Sequence, residues 1–244
     1  MPTRYSASDA VRLRTLPTQL AGLLVRRIVD GDLDNDRAPS ELDISRKFGV
    51  SRVVARETLK ILASLDMVEI AQGRRVTIRP AAEWDYLSPL LMEWLPQEQC
   101  HDLLIELQEM RLIFEPELAA RAAAVMNDET LRGIKAELDR MMELEDEPDH
   151  YLEADQEFHM KICKAAHNRI FDRIMYASRW LLAASRRYTN EVPGSLRRAT
   201  AAHRKIFAAL EARDPDAARA AMRDHVKGSA AVWLGVKKQT ATRA

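Results

Sequence analysis

Residues 49–70, GVSRVVARETLKILASLDMVEI, constrain the fold more than any other part of this chain. A glycine-containing turn leads into Ser51, a residue type favoured at the N-cap of a helix. The helix that follows carries Arg52 and Arg56 on one side and apolar residues mainly on the other. A shorter helix, capped by Ser40, precedes the turn. Two short helices joined by such a turn, the second with a basic face, are typical of a helix-turn-helix, whose second helix can enter the major groove of DNA.

Two short strands follow, predicted at residues 67–71 and 76–78. They flank a turn with the sequence Gln72-Gly73-Arg74-Arg75. Together with an earlier helix at about residues 17–30, these elements predict a winged helix-turn-helix domain over residues 1–80.

The charge of the chain is unevenly distributed. The whole sequence has 37 basic and 37 acidic residues, but residues 1–80 contain 14 Lys and Arg against 10 Asp and Glu. Residues 1–80, called the head below, are therefore weakly basic, and the remaining residues, called the body, are weakly acidic. This distribution fits contact with nucleic acid by the head alone, although an imbalance of this size also arises by chance.

No apolar run approaches the ~20 residues that a membrane helix needs, and no apolar signal segment opens the chain. We therefore expect a cytoplasmic protein with no membrane partner. Cys100 and Cys163 lie far apart within helical patterns, so we expect reduced thiols.

The sequence after Pro80 is helical throughout. A connecting helix is expected within a linker at residues 81–98. Long helical patterns then cover residues 100–125, 128–146, 149–166, 169–190, 195–212 and 215–235. The fold class predicted is mainly α: an N-terminal winged helix-turn-helix with a two-stranded wing, and a C-terminal all-α bundle over residues 99–244.

Four polar residues interrupt the apolar stripes of this bundle. Asp155 and His159 lie one above the other on the apolar face of their helix. His203 and His225 also point inward, and each is eleven residues from Asp214, which marks the turn between their helices. In an antiparallel pair these two histidines stand at the same height, about 16 Å from the turn.

One Asp and three His converging in a helical core form a plausible divalent-metal site with nitrogen and oxygen ligands. Two alternatives remain open from the residues alone. The four side chains could form a metal-free hydrogen-bond network that contacts a ligand directly. They could also activate water at a metal for hydrolysis, although no residue stands in an obvious general-base position and the DNA-reading head would be unexplained.

Arg111 interrupts another apolar stripe. A buried guanidinium requires a carboxylate partner. Either Arg111 forms an internal ion pair with Glu115, one turn later, or it recognises an anionic small molecule near the metal.

The head resembles the winged-helix domain of GntR-family bacterial transcription regulators. The residues that carry this resemblance are Pro39-Ser40-Glu41, Gly49-Val50-Ser51-Arg52, Arg56-Glu57, Leu59 and Gly73. The body resembles the all-α ligand-binding domain of the FadR subfamily, of the FCD type, through Arg111 with Glu115, Asp155 with Phe158-His159, Asn168, His203 and His225.

The resemblance implies a homodimeric regulator, not an enzyme, that binds a palindromic operator in double-stranded DNA. The residues then expected at the DNA are Ser40, Ser51, Arg52, Val53, Arg56, Gln72, Gly73, Arg74 and Arg75. A divalent metal, zinc or nickel, is expected on Asp155, His159, His203 and His225. A small carboxylate effector is expected to bind beside it, with Arg111, Glu115, Asn168 and Arg179 as its candidate contacts, and to release the repressor from DNA.

Three features depart from or refine this pattern. Leu42 stands where the family usually has a DNA-contacting arginine, so Arg74 and Arg75 of the wing could replace that contact. Asp66 stands where the family usually has glycine. The aromatic residues between positions 84 and 95 resemble the linker of repressors that respond to sugar acids such as galactonate, which makes a sugar acid the candidate effector.

Overall fold

The structure, a computed structural model, describes residues 14–33, 37–71, 74–190 and 192–241. The contacts of the chain separate two compact units, with the boundary after Gln99. The helices of the described residues are α1 Leu16–Val29, α2 Glu41–Phe48, α3 Arg52–Ser64, α4 Pro89–Trp94, α5 Gln97–Val125, α6 Asp128–Glu143, α7 Pro148–Ala165, α8 Arg169–Asn190, α9 Ser195–Glu211 and α10 Pro215–Ala241. The predicted fold class, a winged helix-turn-helix followed by a helical bundle, is confirmed.

The first unit is a three-helix head with a small wing. Gly49 ends α2 in a left-handed conformation, with φ of +64°, which glycine adopts without steric cost and which allows the tight turn into α3. The head core is apolar and comprises Leu20, Leu24, Ile44, Leu59, Leu62, Met67 and Val68.

The wing consists of two antiparallel strands, β1 Val68–Glu69 and β2 Thr77–Ile78. Val68 pairs with Ile78 and Glu69 pairs with Thr77. Both strands are shorter than the sequence predicts.

The segment predicted as a connecting helix contains a 3₁₀ helix, Ala81–Glu83, and the short helix α4. Pro89 occupies the first turn of α4, where its missing N–H is tolerated, but it prevents a helix from running through from residue 84. Helix α4 packs against α1. A Cβ on Gly22 would lie only 2.7 Å from Trp94 Nε1, so this contact depends on glycine at position 22.

The second unit is the helical bundle. Its largest apolar core includes Ile134, Met141, Tyr151, Phe158, Phe207, Leu210 and Met222. The turn at Arg213 brings α10 back along α9, and α7 packs between α6 and α8. This packing directs the polar faces of α5, α7, α8, α9 and α10 toward one buried region.

Candidate metal centre and DNA interface

Four buried side chains meet inside the bundle. Asp155 and His159 project from α7 one turn apart, while His203 and His225 project from α9 and α10. One ligand atom of each lies within 4.8 Å of the others. The rings of His203 and His225 have centroids 4.2 Å apart, as expected from their equal distances to the turn at Asp214.

The nitrogen and oxygen atoms of this cluster approach one another closely. His203 Nε2 lies 3.2 Å from Asp155 Oδ1 and 3.2 Å from His159 Nε2. Both carboxylate oxygens of Asp155 are buried, yet neither accepts a hydrogen bond of good geometry within the described part of the chain. A buried carboxylate in that condition is costly. A divalent cation would satisfy it, and three imidazoles with one carboxylate are a donor set that zinc and nickel accept.

Burial sets the protonation of these groups. It lowers the pKa of His203 to about 4, despite the opposing effect of Asp155. Burial and the neighbouring His203 lower the pKa of His225 well below its ordinary value. For Asp155, burial alone would raise the pKa, but the charge of Arg186 and the contact with His203 hold it well below the usual range. At neutral pH the cluster therefore presents neutral His203 and His225 side chains and an ionised Asp155 carboxylate, the forms that bind metal.

A second layer of side chains orients His159. Its Nδ1 lies 2.8 Å from Glu115 Oε2 on α5. A carboxylate at this position favours the tautomer with the proton on Nδ1, so the lone pair on Nε2 faces the cluster. Burial would raise the pKa of Glu115, but the charge of Arg111 outweighs it and keeps the pKa well below its ordinary value.

Arg111 forms an internal ion pair with Glu115, which is the first of the two roles that the sequence suggests for it. Its Nε donates to Glu115 Oε1 at 2.5 Å, and its Nη1 donates to Gln108 Oε1 at 3.2 Å. Gln108 in turn donates to Ser185 Oγ on α8 at 3.1 Å. These contacts make Arg111 a support for Glu115, and through it for His159.

Arg186 was missed by the sequence analysis. It is only 4% exposed, and its Nε lies 3.2 Å from Asp155 Oδ2. Its two terminal nitrogens lie 3.2 Å from His225 Nε2 and 2.5 Å from Ser229 Oγ. A signal existed, because Arg186 follows the buried Leu182 by one helical turn. Arg179 follows the buried Met175 in the same way, however, so spacing alone could not separate the two arginines.

A cavity of about 140 Å³ opens beside Arg186 and His225. Asn190, Ser195, Arg198 and Ser229 also line it. The Ser195 hydroxyl is buried and has no hydrogen-bond partner within the described residues. The cavity therefore combines cationic and hydroxyl groups next to the histidine cluster.

The structure does not bring Asn168 and Arg179 into this cavity. Asn168 precedes α8, where its side-chain oxygen accepts hydrogen bonds from the backbone N–H groups of Ile170 and Phe171. Arg179 is exposed, and its guanidinium lies 3.7 Å from the centre of the Tyr176 ring.

In the head, the predicted DNA-contacting residues lie on and around α3. Ser51 caps α3 by accepting a hydrogen bond from the Val54 N–H. Arg52 and Val53 are exposed in the first turn, and Val53 is 68% exposed. Arg56 is also exposed, with its guanidinium paired to both carboxylate oxygens of Glu41 at 2.9 and 3.2 Å.

Ser40 caps α2 in a capping box with Asp43, so its hydroxyl also serves the helix end. A groove of about 530 Å³ separates α2 and α3 from the wing. Arg52, Arg56 and Lys60 line one side of this groove and Arg74 lines the other. Gln72 and Gly73 lie outside the described residues, while Arg74 and Arg75 are exposed.

Comparison with known families assigns both units. The family of bacterial regulatory proteins named gntR matches residues 16–78, and the FCD domain family matches residues 106–228. The chain belongs to the GntR family and carries an FCD domain. Members of this class and the relatives found are transcriptional regulators, which gives the hydrolase alternative no support.

Two curated relatives of this GntR-family protein are repressors. The galactonate operon transcriptional repressor of Escherichia coli is 25% identical over 205 residues, covering 81% of this chain and 88% of the relative. The repressor NanR of Klebsiella aerogenes is 29% identical over 215 residues, covering 85% and 82%. The solved structure of Lar from Listeria monocytogenes shares the fold, with a TM-score of 0.62 and 18% identity over 93% of this chain and 99% of that one.

The structure of the head accounts for one of the two positions at which this chain differs from the usual GntR sequence. Asp66 follows α3 with φ of +55°, the left-handed region in which glycine is easily accommodated. Its backbone N–H closes the helix end onto Ala63, and its carboxylate accepts a hydrogen bond from Arg79 at 2.9 Å. At the other departure, Leu42 presents a partly exposed apolar side chain to the groove between α3 and the wing.

Among the described residues, no helix combines the length and apolar character needed to cross a membrane.

Proposed function

We propose that this protein is a metal-dependent transcriptional repressor whose affinity for its operator is controlled by a small carboxylate. The observation that carries the proposal is the convergence of Asp155, His159, His203 and His225, all buried, on one point behind a DNA-reading head. Asp155 and His203 keep buried polar atoms without a hydrogen bond among the described residues, and such atoms are costly in a helical core.

Asp155, His159, His203 and His225 would hold the divalent metal, with zinc and nickel as the candidates. Bound there, the metal would supply a Lewis-acid centre with room for a ligand carboxylate. The chain itself fixes the ligand orientation, since Glu115 sets the tautomer of His159 and Arg111 keeps Glu115 ionised.

The effector would enter the cavity beside His225. Arg186 lies at the junction of this cavity and the ligand cluster, and a planar guanidinium suits recognition of a carboxylate. The hydroxyl groups of Ser195 and Ser229 would suit a hydroxylated acid, and a volume of about 140 Å³ limits it to a small molecule. A sugar acid fits this chemistry, and one relative is named for the galactonate operon.

These contacts refine the candidate effector residues. Arg186 joins the candidates, while Arg111 and Glu115 act one layer away through His159. Arg179 remains a prediction, because it lines a smaller pocket together with Arg111, Glu115 and His159. Asn168 remains a prediction, because its side-chain oxygen is engaged at the end of α8.

The head would bind a palindromic operator as part of a homodimer. Arg52 and Val53 at the start of α3 would face base edges, and Arg56, Arg74 and Arg75 would contribute contacts to bases or phosphates. A protein with such a partner would act in the cytoplasm. Effector binding would favour one packing of the bundle, and so one separation of the two heads.

Metal analysis and operator titration together test this function. Protein purified without chelator should contain about one equivalent of divalent metal per chain, and His203→Ala should lose it. Operator affinity, measured by fluorescence anisotropy in the presence of each member of a panel of sugar acids, should fall with the acid that is the effector. Arg186→Gln should abolish that response. Chelator-treated protein that responds to the acid without change would support the metal-free regulator instead. An acid that tightens operator binding would overturn the assigned sign.

A further inference from the structure

The N-terminus of α9 lacks the usual side-chain cap. Its N-cap is Gly194, which has no side chain to accept a hydrogen bond from the first turn. Among the described residues, none accepts a hydrogen bond from the N–H groups of Leu196 and Arg197. The first N–H groups of a helix need acceptors, and together with the helix dipole they attract an anion. The start of α9 therefore has capacity for an anionic ligand.

A buried hydroxyl group lies at the same place. Ser195, the first residue of α9, is only 9% exposed and lines the cavity beside His225. Its Oγ has no hydrogen-bond partner in the part of the chain that the structure describes. A buried hydroxyl without a partner costs free energy, which a hydrogen bond to a ligand in the cavity would recover. Ser195 is thus a second, independent feature that points to a ligand here.

A guanidinium group covers the same helix start. Arg198 lines the cavity, and its Nη1 lies 3.5 Å from the backbone oxygen of Pro193. A Cβ at Gly194, where φ is +72°, would approach this Nη1 to 3.2 Å, so glycine leaves room for it. The neighbouring Arg197 pairs with Glu145, whereas Arg198 has no carboxylate partner among the described residues. Its charge is therefore available to an anion at the start of α9.

The cavity extends along α9 between two different ends. The residues of α9 that line it run from Ser195 to Ala202, which are about 10 Å apart along the helix. Ala202 adjoins the histidine cluster, and Arg186 contacts His225 at this inner end. A ligand whose carboxylate is held at the inner end would extend toward the start of α9.

One acidic residue, Asp224, also lines the cavity. It lies ten residues after the turn at Asp214, whereas Ser195 lies nineteen residues before it. In this antiparallel pair of helices their heights therefore differ by about 14 Å, which places Asp224 toward the inner end. Its exposed carboxylate can accept hydrogen bonds from hydroxyl groups of a ligand. It does not oppose an anion at the start of α9.

We infer that the start of α9 is an anion subsite, and that the effector carries two anionic groups on one hydroxylated chain. The second anionic group, a carboxylate or a phosphate, binds Ser195, Arg198 and the first N–H groups of α9. The inference rests on the proposed function, since the inner end with Arg186 holds the carboxylate assigned there. It adds a requirement of its own, because an acid with a single anionic group occupies only the inner end.

Three acids that differ at one end test the subsite by isothermal titration calorimetry on the full zinc-loaded chain. Gluconate ends in a hydroxymethyl group, glucarate in a second carboxylate and 6-phosphogluconate in a phosphate. At least one of the two dianionic acids should bind about tenfold more tightly than gluconate, because it gains a charge-assisted contact. The tighter of the two identifies the second group. If neither dianionic acid binds more tightly than gluconate, the inference is wrong.

A substitution of the outer arginine locates the effect. Arg198→Gln should remove the tenfold advantage and leave gluconate binding unchanged, because gluconate has no charge for the start of α9. Arg198→Lys keeps a positive charge and should retain part of the advantage. Arg197→Gln, an exposed position in the same turn but outside the cavity, is the matched control and should retain all of it. Equal weakening of all three acids by Arg198→Gln would contradict a separate subsite.

Two further measurements distinguish the ways of failing. Arg198 is exposed, so thermal unfolding of Arg198→Gln should match that of wild type, and a loss of binding is then not a loss of folding. Treatment with chelator should weaken all three acids alike and preserve the ratio between them. A preserved ratio with no effect of chelator supports the subsite and overturns only the metal in the proposed function. Metal-dependent binding without any advantage of the dianionic acids overturns only the subsite.

Discussion

The two units both use arginine–carboxylate pairs, but they hold them in opposite environments. In the head, Arg56 and Glu41 pair at the surface, with side chains 59% and 36% exposed. In the body, Arg111 and Glu115 pair inside the bundle, 1% and 3% exposed. Exposed pairs contribute little to folding and can exchange partners, whereas breaking a buried pair leaves a charge without compensation. Changes in the head should therefore act on DNA affinity, and changes in the body on folding and ligand binding.

The largest effect is expected where the buried pair is broken. Arg111→Met keeps most of the side-chain volume but removes the charge, which should lower the free energy of unfolding of the body by about 3–5 kcal/mol. Urea denaturation measures this change. The double variant Arg111→Met with Glu115→Gln should recover part of the loss, since the uncompensated carboxylate is then removed. A loss below about 1 kcal/mol for Arg111→Met would show that the buried pair contributes no more to folding than an exposed pair does.

Metal removal should have the next largest effect, and only in the body. Free zinc at one hundred times its dissociation constant stabilises the metal-binding form by about 2.7 kcal/mol. Removal of the metal by a chelator should therefore lower the free energy of unfolding of wild-type protein by that amount. Denaturation followed by circular dichroism measures this as a lower unfolding midpoint. His203→Ala should unfold at the same point with and without chelator. If wild type behaves in that way too, the four donors do not bind metal.

Removal of an arginine in the head should leave folding unchanged and weaken DNA binding. Arg52→Ala should lower operator affinity by about tenfold to hundredfold, because Arg52 begins the helix that faces the groove. Arg26→Ala, an exposed arginine of α1 outside the groove, is the control. Anisotropy titrations at several salt concentrations separate base from phosphate contacts, since only loss of a phosphate contact reduces the salt dependence. Equal affinities for the two variants would remove Arg52 from the interface.

The smallest effect is expected at the exposed pair. Glu41→Gln frees the guanidinium of Arg56, so operator affinity should rise less than tenfold at low salt, and the gain should shrink as salt is added. The same titrations measure it, and Asp30→Asn, which removes an exposed carboxylate after α1 outside the groove, is the control. A weaker affinity would instead mean that Glu41 holds Arg56 in its DNA-binding orientation.

The sequence predicts the architecture well because periodicity and caps agree. Ser40, Ser51 and Asp128 mark helix starts in both sequence and structure. His203 and His225 could be paired from sequence because a single turn between two helices fixes their relative height. The inward direction of Asp155 and His159 followed from the apolar residues around them.

The remaining parts of the site depend on packing that no local pattern encodes. Arg179 and Arg186 are seven residues apart and share nearly the same face of α8. Their position along the helix decides which one meets Asp155, and that position is set by how α7 and α8 pack. The contact between Glu115 and His159 likewise joins two helices. Spacing within α5 could therefore predict the pair of Arg111 with Glu115, but not that Glu115 orients His159.

Helix α5 also determines how insertions and deletions affect this protein. Arg111 and Glu115 lie on its inner side, while Ile113 and Arg121 lie on its outer side. Each residue turns an α-helix by about 100°, so one residue added between Arg111 and Ile113 would rotate every later position by that angle. Glu115 would then leave His159, and Glu117 would leave Arg219 on α10 at the same time. An insertion or deletion in this helix thus removes two contacts together.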